Sequence, residues 1–152
     1  ERTKSEEEWR AIADGSGNEI RGKLVFQRAS TQCLLCHQVE GWGGNFGPDL
    51  SYVGSSKDRE QLITAILAPS KEISPEWQGW YVTDQHGERH EGRQIDVGYD
   101  DVELMLSDGK FKSFKNPQSY GLVTTSLMPD GLETNMTAEE FNHLITYLMS
   151  LK

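Results

Sequence analysis

The chain has 152 residues, enough for one domain of ordinary size. Lys and Arg number 15 against 24 Asp and Glu, a formal charge of −9 that argues against nucleic acid or anionic lipid as the main partner. The longest apolar run, Leu62 to Ala68, falls far short of the roughly 18 residues of a membrane span. Glu1-Arg2-Thr3-Lys4 lacks the apolar core of a signal peptide, and a chain beginning at Glu1 reads as processed or as a piece of something longer.

The first predicted element is a short helix. Ser5 and Glu8 form a capping box, Trp9, Ile12 and Ala13 share a face, and Gly15 stops it. A second helix is predicted from Ser16, with Glu19 completing its box, through Leu24, Val25 and Phe26 to about Arg28. A further helical turn would place Cys33, Cys36 and His37 on one face. From Val39 to Val53 the glycines 41, 43, 44 and 47 and Pro48 predict irregular backbone. Ser55 or Ser56 then caps a helix carrying Leu62, Ile63, Ile66 and Leu67, which ends before Pro69.

From about Trp77 to Val123 the pattern changes to strands. Trp80-Tyr81-Val82 leads to a turn at Gln85-His86-Gly87. Val102, Leu104 and Leu106 alternate with Glu103 and Met105, and Asp108-Gly109 turns the chain back through Lys110 to Phe114. Three or four antiparallel strands are expected. The last helix opens with a Thr137–Glu140 box and carries its apolar stripe at Phe141, Leu144, Ile145, Leu148 and Leu151.

The two cysteines, Cys33 and Cys36, are too few for a disulfide framework or a closed four-thiolate metal site. With His37 they make C-x-x-C-H, the pattern of c-type haem attachment: two thiols add to the two vinyl groups and the adjacent imidazole serves as proximal ligand. A thioredoxin-like pair would expect a βαβ context, half a zinc site would expect a second ligand pair, and a short-range disulfide would leave His37 unexplained. Haem is the favoured reading. The sixth-position candidates are Met105, Met128, Met136, Met149, His86, His90 and His143. Met128 is favoured, because it lies in a turn-rich loop rather than a regular element; His86 and His90 read as solvated surface.

These residues resemble a class I cytochrome c. Gly22-Lys23-Leu24-Val25-Phe26 is similar to that family's N-terminal helix, and Leu144 to Leu148 to the C-terminal helix it crosses. Gly47-Pro48-Asp49-Leu50 is similar to the G-P-x-L loop, which implies that the Pro48 carbonyl accepts the His37 ring N–H. Ser126-Leu127-Met128-Pro129 is similar to the loop that delivers an axial methionine. The interval from His37 to Met128 is longer than in a small cytochrome c, and the strand block fills it. In this the chain resembles the haem-binding domain at the C-terminal end of large planctomycete and verrucomicrobial secreted proteins.

The resemblance implies a mainly α fold, a helical core around one covalent haem c, in a single domain of residues 1–152 with a β-rich insertion at about 75–123. It implies His37 and Met128 as iron ligands, and Cys33, Cys36, Pro48, Phe26, Leu50, Tyr52, Trp42 and Leu127 among the residues that bind the cofactor. Leu34, Leu35, Leu62, Ile66, Tyr147 and Leu148 would line the same pocket; Trp42, Tyr52, Trp77, Trp80 and Arg93 are the propionate-donor candidates. The expected function is electron transfer rather than catalysis, in a periplasmic or otherwise extracytoplasmic compartment, with a redox protein or an upstream domain of the same polypeptide as partner. A gas-binding or peroxidatic haem with an open sixth position is the alternative. The insertion reads as a lid, a docking surface, or an elaboration with its own core of Trp80, Val82, Val102, Leu104, Leu106 and Phe111.

Overall fold

The computed structural model describes residues 4–152. The start of the 1–152 domain, and all but Lys4 of the stretch Glu1 to Lys4 on which the signal-peptide expectation rests, thus lie outside the described residues.

Helix α1 (Glu6–Ile12) begins at the Ser5–Glu8 capping box and buries Trp9. Helix α2 (Glu19–Gln27) does not start from Ser16: Asn18 is its cap, accepting from the Arg21 amide. Asn18 does the work assigned to Ser16 because Gly17 is held elsewhere, its amide donating to Thr146 Oγ1 at 3.0 Å. Helix α3 (Cys33–Cys36) is a single turn, followed by a small ladder of β1 (Gln38–Val39) and β2 (Trp42–Gly43). Ser55 and Ser56 belong to a separate turn, α4 (Val53–Ser56), and the next helix, α5 (Arg59–Leu67), is capped by Asp58 with Gln61. An acceptor three residues before a glutamine satisfies both free amides, which neither serine can do from inside a helix.

The strand region is larger than expected. It comprises β3 (Trp80–Thr83), β4 (Arg89–Val97), β5 (Asp101–Met105), β6 (Phe111–Lys115) and β7 (Ser119–Leu122), in the antiparallel order β6-β5-β4-β3-β7. Strand β4 escaped the sequence pattern because it is mostly polar, with a bulge between Gln94 and Asp96 and no apolar alternation. The chain closes with α6 (Ala138–Ser150), capped by Thr137 and Glu140.

The expected mainly α fold is therefore corrected. The protein is a mixed α and β structure, with 38% of the described residues helical and 21% in strands and the five-stranded antiparallel sheet as a principal component.

Two cores organise it. The helical core buries Trp9, Phe26, Ile63, Ile66, Phe141, Leu144, Ile145 and Leu148. Each such side chain contributes about 1.5–3 kcal/mol of transfer free energy. Helices α2 and α6 cross closely at Gly22, where a Cβ would lie 1.9 Å from the His143 carbonyl oxygen. Phe26 packs its ring 5.8 Å from Tyr147 beside this crossing.

The sheet's core is Val82, Val102, Leu104 and Phe114, with Trp80 and Leu106 partly buried against it. Phe111, expected in this core, is 59% exposed, and Phe114 takes its place opposite Val102. Met105, expected on the polar face, is buried.

Among the described residues no helix packs extensively against the five-stranded sheet; the sheet covers this face by curling. Its edges, β6 and β7, are joined through only residues 116–118. Five flat strands would hold those edges about 19 Å apart, whereas the four Cα steps from Lys115 to Ser119 reach at most about 15 Å. The His90 and Phe114 rings, on strands separated by β5, accordingly approach to 4.6 Å. The first and last strands lie side by side, Trp80 paired with Leu122, and the Val123 amide donates to the Gly79 carbonyl at 2.8 Å. Both ends of the sheet region thus leave the helical part at one place.

Candidate functional site

The C-x-x-C-H turn is built by its neighbours. Buried Thr31 holds the approach to α3, its hydroxyl lying 2.7 Å from the Val25 carbonyl and 2.8 Å from that of Arg28. A four-residue helix leaves most of its carbonyls without helical partners. The glycine-rich loop supplies them: the Gly44 amide donates to Leu34 at 3.0 Å and the Gly47 amide to Cys36 at 2.8 Å, while the His37 amide donates to Cys33 at 2.9 Å.

The same loop holds the imidazole. His37 Nδ1 lies 2.8 Å from the Pro48 carbonyl oxygen. A carbonyl can only accept, so Nδ1 carries the proton and the neutral ring's lone pair is on Nε2. Gly47 lies flat against the ring: a Cβ there would sit 2.7 Å from His37 Cε1. Burial lowers the His37 pKa, opposed by the Pro48 hydrogen bond. The neutral, metal-ligating form is thereby favoured.

Cys33 and Cys36 are free thiols, half-buried, and burial raises both pKa values. A dithiol of the thioredoxin kind has a lowered thiol pKa and sits in a βαβ unit. This pair has neither: a 3-10 turn precedes it and a two-residue strand follows.

Among the methionines, Met136 is buried in the helical core, Met105 lies in the sheet, and Met149 lies within α6. Met128 is in a loop and packs, partly buried, against the helical core, as do Cys33, Leu34 and Leu50. Its loop is held through Ser126. The Ser126 amide donates to Ser70 Oγ, just beyond α5, at 3.0 Å, and the Met128 amide to Ser126 Oγ at 3.1 Å. Leu127 packs against Gly79, where a Cβ would lie 2.7 Å from its Cδ2.

The other predicted residues divide. Phe26 is buried at the helix crossing, and Leu62, Ile66, Tyr147 and Leu148 are buried in the same core. Trp42 and Tyr52 are 78% and 72% exposed and Leu35 is 59% exposed, so none of these three is part of the packed interior. Of the proposed propionate donors, Arg93 directs Nη1 to the Asn45 carbonyl at 2.7 Å and stacks on Trp77. Trp80 stacks on Tyr120 within the sheet region.

His90 is not a solvated surface residue. Its side chain is largely covered, with Nε2 2.9 Å from Asp84 Oδ2. Asp84 Oδ1 accepts the His86 and Glu88 amides, which makes Asp84 the lock of the β3–β4 turn. Asp84, Glu88 and His90 bring three ligand-type atoms together there. Sequence reasoning missed Asp84; an aspartate three residues before Gly87 at a strand end was the available signal. Ser70 and Asn45 were missed as well, and only their distant partners identify them.

Among the described residues, no helix is long and apolar enough to cross a membrane. No model of a known protein family and no curated protein matches the chain.

Proposed function

We propose that the protein binds one haem c through Cys33 and Cys36, with His37 and Met128 as axial ligands, and transfers electrons. The observation that carries this reading is the C-x-x-C-H turn with two free thiols and an imidazole oriented by Pro48, so that its Nε2 is left for a metal. The chemistry of these donors fits a c-type haem: two uncharged thiols for vinyl addition, a neutral imidazole, and a loop thioether.

Each residue has a definite task. Cys33 and Cys36 anchor the group to a single helical turn. Pro48 holds the His37 ring and raises its basicity as a ligand, while Gly47 leaves the space that the ring occupies. Phe26, Leu50 and Leu127 supply apolar surroundings. A bound c-type haem would supply the one-electron chemistry; the chain supplies attachment, orientation and dielectric. Thioether attachment places the mature protein in a periplasmic or other extracytoplasmic compartment, with a redox protein or an upstream domain as electron partner. The net charge of −9 favours a basic or neutral partner and salt-sensitive association. Gas-binding or peroxidatic chemistry would need a polar donor such as His86, His90 or Arg93 over the iron, and His90 and Arg93 are engaged by Asp84 and Asn45.

The test is expression in a bacterial periplasm with c-type maturation, followed by a pyridine haemochrome spectrum and a haem stain of the denatured protein. Covalent haem that is lost in Cys33→Ser/Cys36→Ser, with a low-spin ferric spectrum, is the expected result. A chain that emerges without haem, or with a five-coordinate high-spin ferric spectrum, refutes the assignment.

A further inference from the structure

We propose that Arg93 is a positioning residue for His37, and that the sheet, through this side chain, holds the loop that orients the imidazole. The inference rests on the haem reading above and gives the inserted sheet a role in it.

Arg93 lies on β4 opposite Met105, directly before the bulge at Gln94. Its Nη1 donates to the Asn45 carbonyl at 2.7 Å, and its guanidinium sits 4.5 Å from the centroid of the Trp77 ring. The bond to Asn45 is exposed to solvent, and the indole beneath the guanidinium restricts its orientation. Asn45 begins the run Asn45-Phe46-Gly47-Pro48. Phe46 is buried, the Gly47 amide bonds Cys36, and the Pro48 carbonyl bonds His37 Nδ1. The position of Asn45 is therefore passed, within three residues, to two of the contacts that hold the motif, Gly47–Cys36 and Pro48–His37.

The consequence is chemical. The Pro48 bond gives the His37 ring more anionic character and makes it a better ligand to ferric iron. Loosening Asn45 weakens that bond, which raises the reduction potential. Arg89 is the natural control: it lies on the same strand and over an aromatic ring, 4.3 Å from the Tyr81 centroid, but its hydrogen bonds go to Glu91 and not to the loop.

The experiment compares wild type, Arg93→Gln, Arg93→Lys and Arg89→Gln, reading the Gly47 amide exchange rate by NMR and the midpoint potential of the haem-loaded protein. In Arg93→Gln the Gly47 amide should exchange about two- to tenfold faster, the factor that loss of one solvent-exposed hydrogen bond implies. The potential should rise, Arg93→Lys should fall between, and Arg89→Gln should match wild type. If Arg93→Gln loses only melting temperature, with Gly47 exchange and potential equal to those of Arg89→Gln, the positioning role is wrong. If the wild-type chain takes up no haem, the underlying reading fails by its haemochrome spectrum, and the Gly47 exchange rate still decides the clamp.

Discussion

His37 Nδ1 donates to the carbonyl oxygen of Pro48 across 2.8 Å, and Gly47, the residue before that proline, lies against the same ring. One short loop thus sets both the tautomer and the plane of the imidazole. Gly47→Ala would put a methyl 2.7 Å from Cε1, and the ring has a hydrogen bond to lose if it moves. The expected cost is about 1–3 kcal/mol. Urea denaturation of the haem-loaded variant checks it, and an unchanged midpoint would show that the loop is more compliant than its contacts suggest.

The crossing of α2 and α6 makes a harsher demand at Gly22. A Cβ there would meet the His143 carbonyl oxygen at 1.9 Å and Tyr147 Cβ at 2.6 Å, and neither is the free end of a flexible chain. Gly22→Ala should cost about 3 kcal/mol, the top of the usual range for overpacking, by prising the helices apart. Thermal unfolding by circular dichroism reads the effect directly.

Thr31 is wholly buried and its hydroxyl is shared between the carbonyls of Val25 and Arg28. Valine has the same shape without the donor. Both carbonyls keep a backbone amide donor, from Arg28 and Thr31, so Thr31→Val should lower stability by about 1 kcal/mol, the net worth of one hydrogen bond. A larger apolar gain than polar loss would raise the midpoint instead and contradict this account.

Glu140 caps α6 and pairs with Arg28; the Arg28 hydrogen bond and the Thr137 amide hold its pKa below the ordinary 4.5. A carboxyl whose folded pKa is depressed contributes stability above its unfolded pKa. That contribution fades as pH falls from about 4.5 through the lower folded value. Glu140→Gln keeps the cap oxygen and loses the charge. Because both partners are partly exposed, the loss at neutral pH should be about 1 kcal/mol or less. Denaturation midpoints of the two proteins should converge on acidification, and a constant gap would mean that charge is not the cause.

With haem bound as proposed, Met128→Ala should lower the reduction potential and convert the ferric spectrum toward high spin, since a thioether favours the reduced iron. Potentiometry with visible spectra distinguishes this from a general loss of fold. A low-spin spectrum retained in the variant would move the sixth position to another residue.

The sequence by itself determined what depends on near neighbours. The helical turn of Cys33–Cys36, the capping boxes at Ser5 and Thr137, and the buried stripe of α6 are all consequences of spacing within a few residues. The Pro48–His37 contact was legible from the resemblance of its loop, and the geometry agrees with it. Only the tertiary structure decided the rest. Strand β4 has too little apolar alternation to announce itself, and its strands take a position only when β3 and β5 pair with it. The sheet's inner face excluded Phe111 and took Phe114 because register, not hydrophobicity, chooses which side chain points inward. Arg93 and Asn45, Asp84 and His90, and Ser70 and Ser126 are joined by the curl of the sheet and the closure of loops. Two cysteines and a histidine could thus be read from the chain, whereas the support that orients them is assembled from segments that meet only in the folded protein.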